Sequence, residues 1–158
     1  MIAESLDDRW LAYLSTQVRI EHPTAGPIQV RPLPPTQTVG EFPDEAGRTI
    51  YILTAHNPGR ELSDDDNDRK QEQLRIAVGA LGDVDVWAAV GGDPDWSHTE
   101  DSLAIAGLSK PHALALAQQF GQDAIFAWTP RSWNLMSCDG SRTHAAGWLV
   151  NRLTSGIC

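Results

Sequence analysis

Between Thr49 and Trp128 the spacing of apolar residues switches repeatedly between the two-residue repeat of a strand and the roughly 3.6-residue repeat of a helix, and the order of those switches limits the chain to few architectures. The run TIYILTAH from Thr49 is rich in β-branched and aromatic residues and stops at Asn57-Pro58-Gly59, so it reads as a buried central strand. Ser63 opens a helix: its hydroxyl is placed to cap Asp66, and Asp64, Asp65 and Asp66 complement the positive end of the dipole. Leu74, Ala77, Val78 and Leu81 continue it at helical spacing until Gly82. Val84 to Val90 and Ser102 to Leu108 read as strands joined by a polar connection from Gly91 to Asp101. Ser109 caps a second helix that tolerates Pro111 in its first turn and ends at Gly121, and Asp123 to Trp128 returns to a strand. Strand, helix, strand, strand, helix, strand is the order of a split βαβ, ferredoxin-like α+β core over residues 49–128. In that fold the strands at Thr49–His56 and Ser102–Leu108 lie side by side and antiparallel, with both helices on one face. Its expected core is Leu53, Leu74, Val78, Leu81, Ile105, Leu116, Phe120 and Ile125.

The flanks are less regular. Trp10, Leu11 and Leu14 suggest a short helix that runs into a strand around Val18 and Ile20. Six of the ten prolines fall between Pro23 and Pro43, around the alternating IQVR at Ile28–Arg31, which suggests an N-terminal edge hairpin over residues 14–43. Residues 129–158 form an extension, a strand at Trp133–Cys138 followed by a tail helix at Ala145–Leu153. A single domain of 158 residues is expected, since that length buries enough apolar surface to need neither metal nor disulfide.

Charge narrows the function classes. With 21 acidic and 12 basic residues the formal net charge is −9, which opposes phosphate backbones and anionic lipid, so neither nucleic acid nor membrane is an expected partner. The opening MIAESLDDRW lacks the basic and apolar regions of a secretory leader, and a cytoplasmic location is expected. Cys138 and Cys158 form no CxxC pair and read as unpaired thiols. Phosphate-binding, nucleophile-elbow and dinucleotide motifs are missing from the sequence, and no cofactor is expected.

The split βαβ order gathers three loops at one edge, beginning at His56, Gly91 and Phe120. Asn67 and Gln71 share the helix face of Leu74 and Val78, so two amides continue an apolar stripe and point toward that edge. Asn57, Asn67, Gln71 and Gln122, with Trp96 and Arg60 beside them, are the candidate ligand-binding residues. Asn57 also suits a plain turn, Arg60 suits pairing with local aspartates, and Trp96 suits a lid folded onto a solvated acidic loop. His56, His98 and Glu100 are the candidate acid–base catalysts. Asp93 and Asp95 are the candidate metal ligands, although no spacing matches a known metal motif.

The stretches YILTAHNPGRELSDDDNDRKQ, GGDPDWSHTEDSLAIAGLS and ALAQQFGQDAIFAW resemble the bacterial family catalogued as domain of unknown function 3293, whose marks are a Thr-Ala-x-Asn-Pro turn and a Phe-Gly-Gln-x-Ala-Ile-Phe segment. The likeness runs from about Tyr51 to Trp128 and carries Thr54, Asn57, Pro58, Asn67, Gln71, Phe120, Gly121 and Gln122. It implies a small bacterial α/β protein and no particular activity. Three functions fit these residues. The first is a ligand-binding or regulatory domain that recognises a small polar molecule through amides, which do not titrate and suit recognition better than turnover. The second is a hydrolase or transferase that uses His56 or His98 with Asp93, Asp95 or Glu100, with or without a divalent metal. The third is an acidic module that binds a protein partner.

Overall fold

Serine side chains fix both long-helix starts. In the computed structural model, which describes residues 6–54 and 63–153, the Ser63 hydroxyl accepts from the Asp66 N–H at 3.2 Å and the Ser109 hydroxyl from the His112 N–H at 3.3 Å. The elements are α1 (Leu6–Leu14), β1 (Gln17–His22), β2 (Gly26–Leu33), β3 (Thr38–Val39), β4 (Ile50–Leu53), α2 (Asp64–Gly79), β5 (Asp85–Gly92), β6 (Thr99–Ala106), α3 (Lys110–Gln119), β7 (Ala124–Trp128), β8 (Trp133–Ser137) and β9 (Thr143–Arg152). His56, Asn57 and Arg60 lie outside the described residues.

β4 pairs antiparallel with β6 through Ile50↔Ala106 to Leu53↔Leu103, and its other edge pairs with β7. One sheet face packs on the helices: Leu53, Leu103, Ile105 and Ile125 meet Leu74 and Val78 of α2 and Leu116 and Phe120 of α3. Each such apolar side chain removed from water stabilises the fold by about 1.5–3 kcal/mol.

The expected ferredoxin-like α+β sandwich is nevertheless wrong, because the sheet does not end at β5 and β7. β5 continues to β1, β7 to β8, β8 to β9, and β9 pairs antiparallel with β2 from Ile28↔Arg152 to Leu33↔Gly147. The ring β2-β1-β5-β6-β4-β7-β8-β9 closes into an eight-stranded antiparallel barrel, with the two residues of β3 parallel beside β9. The reason is the face opposite the helices. Ile50, Ile52, Ala104, Ala106 and Trp128 line it and are all buried. A two-layer sandwich would leave this surface in water, whereas curling the sheet covers it and removes both edges.

Three local readings change with closure. The N-terminal hairpin is real, but it is wall rather than edge, since β1 joins β5 and β2 joins β9. The expected tail helix at Ala145–Leu153 is strand β9, in which Ala146 and Trp148 point into the lumen at a two-residue repeat. Leu81 is 48% exposed because α2 stops at the Ala80 cap, before Leu81 can join the buried stripe. Among the described residues no helix is long and apolar enough to cross a membrane.

Candidate functional site

The lumen is filled unevenly. At the end where β7 finishes, Trp128 sits edge-on to Phe42, Trp133 and Trp148 with ring centroids 5.1, 6.1 and 5.6 Å away, and the Trp148 indole N–H donates to the Thr129 carbonyl at 3.0 Å. Four large aromatic rings plug that end. At the opposite mouth, where β1 and β7 begin and β5 ends, small residues stand instead: Thr16, Gly91, Ser102 and Ala124. A Cβ added at Gly91 would come no nearer than 3.9 Å to Ser102 Oγ and Thr16 Cγ2 and 4.0 Å to the Glu100 carbonyl, all at ordinary contact distance.

The space so left is a cavity of about 190 Å³. Val18, Ile52, Phe126 and Leu135 make its apolar floor, and Thr54, Asp93, His98, Glu100, Ser102 and Gln122 make its polar rim. Ala12 and Tyr13 of α1 cover one side. α1 is held there by an ion pair from Arg9 Nε to Asp123 Oδ2 at 2.7 Å and by the Arg142 guanidinium, 5.6 Å from the Trp10 ring centroid.

Rim hydroxyls are oriented by the backbone. Thr54 Oγ1 donates to the Asp101 carbonyl at 2.6 Å, and Ser102 Oγ donates to the Glu100 carbonyl at 3.2 Å. Glu100 lies opposite Gly91 across the β5–β6 pair and shares the two-residue phase of Ser102, Ala104 and Ala106, so it belongs to the lumen side of the wall.

The loop between β5 and β6 folds on its own carboxylates. Asp93 accepts from the His98 N–H at 3.1 Å and the Ser97 hydroxyl at 2.8 Å, and Asp95 accepts from the Ser97 N–H at 3.1 Å. The His98 amide, then the Ser97 hydroxyl, hold the Asp93 carboxyl below the usual carboxylate range. Both candidate metal ligands are thus engaged in shaping the turn. No group of three His, Cys, Asp or Glu side chains among the described residues is placed to hold a metal ion.

Trp96 stands apart from the cavity. Its φ is +59°, its indole lies where a Cβ on Gly92 would be, and Arg19 stacks on it at 3.9 Å from the ring centroid. The same arginine donates to Gln29, Gln29 donates to Gln17, and Gln17 donates to the Pro94 carbonyl at 2.9 Å. This chain clamps the loop to the wall of the barrel.

Of the residues singled out in the sequence, Gln122, His98, Glu100 and Asp93 therefore come together at the mouth. Asn67 and Gln71 are buried in α2, as their phase with Leu74 and Val78 requires, but they do not line the cavity. The floor escaped sequence reasoning. The alternation of Val18 and Ile20 in β1 signals a lumen-facing stripe, but only closure shows that β1 faces Phe126 and Leu135.

Residues 53–125 match the family model described as protein of unknown function (DUF3293). This match supports the family resemblance of the segment from Tyr51 to Trp128. Within the DUF3293 segment lie Thr54, Gly91, Glu100, Ser102 and Gln122 of the cavity, while Thr16, Val18, Phe126 and Leu135 come from strands and turns outside it. No curated protein and no solved structure matches the chain.

Proposed function

We propose that this protein is a binding domain for one small organic molecule, held in the mouth of its barrel. The observation that carries the reading is the unequal filling of the lumen, with aromatic rings at one end and about 190 Å³ of space bounded by an apolar floor and a polar rim at the other. Eight-stranded barrels have interiors that are either filled by side chains or shaped for one small ligand. A dry cavity of about 150 Å³ holds benzene, and pockets for drug-sized ligands begin near 300 Å³, so the occupant is close to a single ring with a short substituent. Recognition would come from shape at the floor and from Gln122 and the rim oxygens above it.

Gly91→Val tests this reading directly. Valine suits a strand, its Cβ has room beside Ser102 and Thr16, and its methyl groups occupy the cavity. Fragments of one ring should raise the melting temperature of the natural chain by mass action, about 2.7 kcal/mol at a hundredfold excess over Kd, and should not do so for Gly91→Val. Equal responses of the two proteins would place the fragments elsewhere and end the proposal.

A further inference from the structure

We infer that the cavity takes a planar aromatic ring, which stacks on Phe126 and extends the rings that fill the rest of the lumen. The inference deepens the binding reading and rests on it. Two observations point the same way, the place of Phe126 in the floor and the orientation of its ring.

Phe126 stands in the middle of the cavity floor, flanked in register by Ile52 of β4 on one side and Leu135 of β8 on the other. Trp133 lies behind it, with ring centroids 5.0 Å apart and planes only 23° from parallel. The other ring pairs described in the lumen are Phe42 with Trp148, and Trp128 with Phe42, Trp133 and Trp148. Their planes are inclined by 48° to 83°. Among the described residues, Phe126 and Trp133 are thus the one stacked pair in the barrel. Trp133 is buried and does not line the cavity, so the face of Phe126 turned away from Trp133 is the one that meets the open space.

A flat ring in that space completes a stack of three. Offset-stacked aromatic pairs, with centroids about 4.5–7 Å apart, attract each other beyond the area they bury. The Phe126 ring is held between its strand neighbours and against Trp133 before any ligand arrives, so little side-chain freedom is lost when a second ring docks on it. Tyr13 adds another ring to the lining from the side of α1. The rim does not single out the charge of the head group, because His98 and Gln122 carry donors while Asp93 and Glu100 carry acceptors. Selection therefore lies in the floor and acts on the ring.

Titration calorimetry of the full chain with benzyl alcohol and cyclohexylmethanol tests the inference, because the two carry the same head group to the rim and differ only in the ring. Cyclohexylmethanol has the larger apolar surface, so a cavity that offered burial alone would favour it. Stacking reverses the order, and benzyl alcohol should bind the natural chain about threefold or more tighter. Phe126→Leu keeps the floor apolar and should remove that preference while leaving cyclohexylmethanol affinity within about threefold, which also reports that the variant is folded. The natural chain decides without any help from that variant: if it binds cyclohexylmethanol as tightly as benzyl alcohol or more tightly, and Gly91→Val abolishes both, the aromatic inference falls and the cavity reading stands. If neither alcohol binds, or Gly91→Val leaves both unchanged, both fall. A preference for benzyl alcohol that survives Phe126→Leu equally overturns the assignment to this ring.

Discussion

His22 shows how one residue ties a strand turn to proton concentration. It is buried at the end of β1, its ring centroid 4.6 Å from that of Trp87, and its Nδ1 accepts from the backbone N–H of Thr24 at 3.2 Å and of Ala25 at 3.0 Å. Nδ1 must be unprotonated to accept both bonds. Burial pushes the imidazole pKa below its ordinary value, against the opposing pull of Asp44 and Asp85, which are themselves bridged by Arg48 at 2.8 Å to each. A lowered native pKa means that the unfolded chain binds the proton more readily. His22 therefore contributes stability that is complete above about pH 6.5 and is lost as pH falls through the lower native value. Urea midpoints should fall between pH 7.5 and 5.5 for the natural chain and fall less for His22→Asn, whose amide oxygen can take the place of Nδ1 without titrating in this range. An identical fall in both proteins would assign the pH dependence to other groups. The tautomer and the partners of His22 are not legible in the sequence EHPTAG, where nothing marks this histidine as a double acceptor.

At the scale of elements, α2 and α3 were the most legible parts of the chain, because capping serines and helical apolar spacing are local signals that tertiary packing reinforced. Asn67 and Gln71 were correctly placed on the buried face of α2 by phase alone. The phase of α2 makes a paired prediction. Val78 is fully buried against the sheet and Ile76, two residues away, is 64% exposed. Val78→Asp leaves an uncompensated buried charge and should cost more than about 3 kcal/mol by urea denaturation, while Ile76→Asp should change stability by less than about 0.5 kcal/mol. Comparable losses in both would contradict the packing of this helix. β9 was the least legible element. Ala145, Ala146 and Gly147 carry little strand propensity, and Gly147 is required for another reason: a Cβ there would run into the backbone carbonyls of Gln37 and Pro34, which cross over it. That contact joins segments more than a hundred residues apart and has no local trace.

For the whole molecule, closure predicts a uniform resistance to opening. An open sheet would leave β2 or β9 as an edge whose amides exchange early, but in the barrel Val30↔Val150 and its neighbours pair as fully as Ile52↔Ala104 in the helix-covered wall. Hydrogen exchange of the intact chain should show the paired amides of β2 and β9 protected to a similar degree as those of β4 and β6. Marked early exchange confined to the β2–β9 seam would argue for an open sheet. The sequence by itself determined that α2 and α3 are helices and where they start, the antiparallel pairing of β4 with β6, and the apolar character of both faces of these central strands, since Ile50 to Leu53 and Leu103 to Ala106 leave no polar side. These are properties of spacing and capping within a few residues. Only the tertiary structure decided what covers the second face. The answer lay in the hydrogen bonding of β9 to β2 across most of the chain length, and therefore so did the cavity, whose floor is assembled from β1, β4, β7 and β8. A strand's own residues specify that a face must be buried, but the partner that buries it is chosen by the global balance of edges, volume and backbone hydrogen bonds, which no local window contains.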